Sequence, residues 1–132
     1  MAMGVRFDLE GKRLYVKARD QVWIIINGVR HLITSSSVYD SLFQGNVDLL
    51  PFDNVDSISR GLDLLDGTSL IKERNGQDIY LLVPIEGNRI FRHRIKSYAA
   101  FELYGFSLEL VVELPPIVVK AMPVGDEIFG LS

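Results

Sequence analysis

Three cations alternate along one short stretch of this chain: Arg92, Arg94 and Lys96, with Arg89 just ahead and no acidic residue from Asn88 to Phe101. In an extended strand every second side chain shares a face, so these residues form a basic face able to grip a carboxylate, sulfate or phosphate, with each arginine offering a bidentate fork. That is binding chemistry. On the opposite face of the same stretch stands His93, flanked by Phe91 and Ile95. The only other histidine, His31, lies between Val29 and Ile33 in the same Arg-His-x-Ile-x-Ser frame. A buried polar group must find a partner, so both are expected to be core imidazoles bonded to a returning loop, with a pair of equivalent ligand sites as the alternative. Trp23 and Tyr80 hold the same strand position and are expected to be core aromatics, with Trp23, Tyr80 and Tyr98 as stacking surfaces for sugar rings the alternative, on the strength of their π faces. Arg89, Arg92, Arg94 and Lys96 would hold an anionic group beside them.

No catalytic residue is assigned. Ser35-Ser36-Ser37 lacks the strained glycine context of a nucleophile elbow and suits a helix cap. Asp53-Asn54-Val55-Asp56 lacks the glycine and terminal glutamate of a calcium loop. Neither histidine has a second histidine or closely spaced carboxylate beside it, so no metal and no cofactor are expected. The 132 residues include no cysteine, which removes disulfides and thiolate chemistry. A net charge of −3 gives no overall pull on nucleic acid or an anionic membrane. No apolar stretch reaches the length of a membrane span and the start lacks the shape of a signal peptide, so a soluble cytoplasmic or cell-surface-associated protein is expected.

The elements that must position these residues come in two sets. Residues 14–17, 22–26 and 29–33 read as three short strands, and 70–73, 79–83 and 89–95 repeat them. Asn27-Gly28, Asn75-Gly76 and Glu86-Gly87-Asn88 supply turns. A short helix follows each third strand, entered at Ser35 or Ser97 and left at Gly45 or Gly105. An irregular return then leads to the next glycine. The spacing predicts one compact domain over 1–132 with internal repeats 11–66 and 67–124 sharing a core, a mainly β α+β fold, and 125–132 as a closing strand or tail. Gly125 is matched with Gly11 and Gly67 as the opening of a further copy. The middle strands Val22–Ile26 and Ile79–Val83 are apolar without alternation, so both of their faces must be covered.

Gly67 to Gly125, with Arg-His-x-Ile-x-Ser, Gly105-Phe106, Val111-Val112 and Pro123-Val124-Gly125, resembles a degenerate tandem repeat of bacterial surface, cell-wall-associated and secreted multidomain proteins. The resemblance implies an accessory, non-enzymatic role beside hydrolytic or adhesive domains. The expected function is therefore a binding module for a carbohydrate or anionic cell-envelope glycan. The alternative is a structural protein whose apolar strands and C-terminal segment join copies of itself into a homo-oligomer; a small enzyme or enzyme inhibitor comes last.

Overall fold

The computed structural model describes residues 4–45, 49–86 and 88–130. Gly87 of the third turn, Asn46 at the head of the first return and the last two residues of the closing segment lie outside them. The fold is α+β and mainly β, built from two similar four-stranded sheets. The first unit comprises β1 (Arg13–Val16), β2 (Gln21–Ile26), β3 (Val29–Ile33), α1 (Ser36–Leu42) and β4 (Leu49–Pro51). The second comprises β5 (Ser69–Glu73), β6 (Ile79–Ile85), β7 (Arg89–Arg94), α2 (Tyr98–Leu103), β8 (Val112–Leu114) and α3 (Pro116–Ala121). The sheets run in the orders β3-β2-β1-β4 and β7-β6-β5-β8.

Local chemistry sets these elements. Asn27 and Gly28 sit at φ 53° and 79°, the pair of left-handed conformations that a two-residue turn between twisted strands requires. The Ser35 and Ser97 hydroxyls accept from the amides of Val38 and Ala100 at 3.2 and 3.1 Å and so cap α1 and α2.

Three features depart from the expected outline. Each sheet has a fourth strand, parallel to the first: β4 beside β1 and β8 beside β5. The return also crosses the outer sheet face, as a 3-10 turn at Val55–Ser57 in the first unit and as α3 in the second. Finally, the units align one residue away from the glycine match. Trp23 pairs with Leu14 and Tyr80 with Ile71, so Arg13, not Leu14, takes the place of Leu70. A slip of one residue exchanges the faces of a strand. Arg13 therefore projects into the interior, 7% exposed, where it donates to the Tyr39 hydroxyl at 2.7 Å and lies 4.4 Å over the Phe43 ring.

Both faces of the middle strands are covered. Ile24 and Ile26 of β2 join Leu81 and Val83 of β6 in one core that also takes Val38, Leu42 and Phe101 from the helices. On the outer faces, Trp23 and Ile25 pack under Val55 and Ile58, and Tyr80 packs under Val119. The aromatic pairs Tyr39–Phe43, Phe43–Phe106 and Tyr104–Phe106, with centroids 4.9, 5.6 and 5.6 Å apart, form a seam across the two units.

After crossing, each return lies along the outer edge of a sheet. Arg30 bridges Arg60 and Ile33 bridges Leu64, while Arg92 bridges Val124 and Ile95 bridges Ile128, all parallel. Gly125 thus occupies the place that Gly61 takes in the first unit, not that of Gly11 or Gly67. No helix among the described residues is long and apolar enough to cross a membrane.

Candidate functional site

Two arginines of the basic stretch at β7 are engaged by other parts of the chain. Arg94 holds Glu127 at 2.9 Å and Asp78 at 3.4 Å. Arg92 donates through Nε to the Met122 carbonyl at 3.1 Å and lies 5.1 Å over the Tyr80 ring. Its counterpart Arg30 does the same, donating to the Ile58 carbonyl at 2.8 Å and stacking 4.4 Å over Trp23. Arg30 and Arg92 therefore fasten each return to a strand edge and lid the aromatic beneath. Two of the three cations expected to grip an anion thus already hold partners within the molecule, Asp78, Glu127 and a backbone carbonyl, none of which a reading along the strand suggests. Arg89 lies 5.8 Å over Phe91, and Lys96 stands exposed at the far end of the stretch.

Trp23 and Tyr80 are core aromatics, and the stacking alternative is corrected for these two alone. Trp23 and Tyr80 are 1% and 7% exposed, so neither ring presents a face to a sugar. Tyr98 is 57% exposed and lies against Phe101 with the ring planes 16° apart.

His31 and His93, expected apart in their own units, line one cavity between the two sheets. Its volume is about 350 Å³ and its apolar walls include Ile26, Leu64, Leu81 and Val83. His31 Nδ1 lies 2.7 Å from the Leu62 carbonyl and His93 Nδ1 lies 2.8 Å from the Asp126 carbonyl. A carbonyl only accepts, so in the neutral ring Nδ1 carries the proton and Nε2 is left as the acceptor. His93 Nε2 is buried and has no partner among the described residues. Burial pushes the His31 imidazole below its ordinary value; the Leu62 and Ile26 backbone and Glu10 raise it, and His93 lowers it. Gly61 and Gly125 lie against the two rings, and a Cβ on either would collide with its imidazole. The positions that close the cavity are thus fixed by glycine at both returns.

The chain matches no protein-family model, no curated protein and no solved structure. Its site is therefore read from geometry alone. Among the described residues no group of three or more histidine, cysteine or carboxylate side chains is placed to hold a metal ion.

Beside the cavity, a buried carboxylate ties the units together. Glu10, 4% exposed, accepts from the amides of Asn27 and Gly28 at 2.6 and 2.8 Å and from the Tyr104 hydroxyl. Burial, followed by that bond to Glu10, raises the Tyr104 phenol above its ordinary value. Asn27 in turn donates to the Glu127 carbonyl at 2.9 Å and accepts from the Phe129 amide at 3.2 Å. Sequence reading missed the cavity members Asn27, Gly61, Leu62 and Asp126. Gly61-Leu62 and Gly125-Asp126 recur at nearly the spacing of the histidines, and matching Gly125 to the strand-opening glycines hid that signal.

Proposed function

We propose that this chain is a non-enzymatic binding module whose ligand, a carbohydrate, sits in the cavity between its two units. The observation that carries the reading is the pair of imidazoles lining that cavity, each with Nδ1 spent on a backbone carbonyl and with the buried Nε2 of His93 left to accept. A sugar ring has C–H faces and a rim of hydroxyl donors. Apolar walls with a few convergent polar groups suit such a ligand, and about 350 Å³ leaves room for one ring. Because Arg92 and Arg94 are engaged internally, the reading shifts from an anionic glycan to one without negative charge. The resemblance to accessory repeats of bacterial surface proteins points the same way.

Self-association draws less support from the geometry. The apolar strands β2 and β6 are central in their sheets, the returns lie along β3 and β7, and the strands at the opposite edges, β4 and β8, are three residues long with Pro51 in one and Pro115 directly after the other. Prolines and short edge strands discourage pairing between copies.

A glycan array followed by imidazole-detected NMR of the full chain tests the proposal. Array hits should shift the resonances of both His31 and His93. Hits that shift neither, or an array without hits, would overturn it.

A further inference from the structure

Several residues at the cavity hold matched positions in the two units, while Asn27, Val29 and Leu81 line it without a counterpart. Ile26 corresponds to Val83, His31 to His93 and Leu64 to Ile128, and Gly61 corresponds to Gly125, which lies against the His93 ring. In a further pair, Leu62 and Asp126 each lend a carbonyl to a histidine, yet their side chains differ. One end of the site is therefore apolar and the other carries a carboxylate.

The polar inventory is as one-sided as the shape. No lysine or arginine lines the cavity. Both Nδ1 protons are committed to carbonyls, and the Asn27 amide spends one proton on Glu127 and its oxygen on Phe129. Asp126 has no ion pair or side-chain hydrogen bond among the described residues. What remains to meet a ligand is the buried Nε2 of His93 and the Asp126 carboxylate, both acceptors, and the second proton of the Asn27 amide. A carboxylate or phosphate ligand would face these two acceptors with no cationic side chain to balance its charge, whereas a ligand that donates at one end satisfies them.

We infer that the ligand is an amino sugar, bound with its ammonium at Asp126 and its ring between His31 and His93. This inference rests on the carbohydrate reading above and narrows it. An ammonium to a carboxylate makes a charge-assisted bond, roughly twice as strong as a neutral one. N-acetylation removes that charge and adds bulk.

The test uses the full chain at about pH 7, below the range in which an amine gives up its proton. Glucosamine, glucose and N-acetylglucosamine are titrated against the protein with both imidazole signals observed. Glucosamine should bind about tenfold more tightly than either of the other two, a difference of about 1.4 kcal/mol. Asp126→Asn should remove the preference; this variant keeps the backbone carbonyl that holds His93. Equal affinity for glucose and glucosamine, tighter binding of N-acetylglucosamine, or a preference that survives Asp126→Asn would overturn the inference while leaving the carbohydrate reading in place. If none of the three sugars moves either imidazole and no array glycan does so, the carbohydrate reading fails and this inference with it.

Discussion

At the scale of the residue, the chain separates two roles within one Arg-His doublet. The arginine turns outward to hold a return and cover an aromatic, and the histidine turns inward to the cavity. Replacing Arg92 by Gln removes the bond to Met122 and the contact with Tyr80. It should lower stability by about 1–2 kcal/mol in a urea melt, from one hydrogen bond and one partly desolvated cation–π contact. An unchanged midpoint would show that the clamp contributes nothing. His31 makes the fold sensitive to pH. Its folded pKa lies below the ordinary 6.5, so below that value the unfolded chain binds the proton more readily, and stability falls with pH. The loss begins near 6.5 and continues down to the depressed folded value, where it levels off. At higher pH the imidazole is neutral in both states and contributes no slope. Melts of the parent and of His31→Asn between pH 7.5 and 5 check this, since asparagine can still donate to Leu62 but does not titrate. A parent slope no steeper than that of the variant refutes the assignment.

At the scale of the element, the return segment is the informative piece. It leaves the first strand in parallel, crosses the outer face and ends along the third strand, so that one stretch of chain covers two exposed parts of a sheet. In the second unit the amide of Gly125 donates to Arg92 at 2.9 Å, the amide of Ile128 to Arg94 at 2.9 Å, and the amide of Lys96 to Ile128 at 3.0 Å. Ile128 is 3% exposed within the shared core. Ile128→Ala should therefore cost about 2–5 kcal/mol, as truncations of buried isoleucine do. Ending the chain after Pro123 should cost more, because it also strips the edge of β7. Thermal melting of the two variants gives the order, and equal melting temperatures for parent and truncation would mean that the segment is a tail.

At the scale of the whole molecule, the two units depend on one another. Ile24, Ile26, Leu70, Leu81 and Val83 meet in a single cluster, and Glu10 reaches from the first unit to Tyr104 of the second. Neither unit buries that face alone, and a piece of about 60 residues has little other core. A fragment of residues 1–66 should show no cooperative unfolding, and mixing it with residues 67–132 should restore the transition. A fragment that melts cooperatively on its own would contradict a shared core. Tyr104→Phe in the full chain should cost about 1.5–3 kcal/mol, the range for a hydrogen bond to a charged group. Its measured cost reports how firmly the units are latched.

The sequence by itself determined the three antiparallel strands and the short helix of each unit, in order, but not β4, β8 or α3 in the returns. Asn27-Gly28, the serines before the helices and the unalternating isoleucines each act over a few residues, and local conformational preference is enough to read them. It also determined that His31 and His93 face inward, because strand alternation assigns a face without knowledge of what covers it. Tertiary structure alone decided who meets whom. Arg92 and Arg94 look like a free anion grip until Met122, Asp78 and Glu127 are brought beside them from other parts of the chain. A one-residue slip between the units placed Arg13 inside, and only cross-strand pairing reveals such a slip, since the glycines before β1 and β5 match equally well along the sequence. The two histidines share a cavity because the sheets pack face to face, an arrangement set by the summed burial of both cores and written in no local motif.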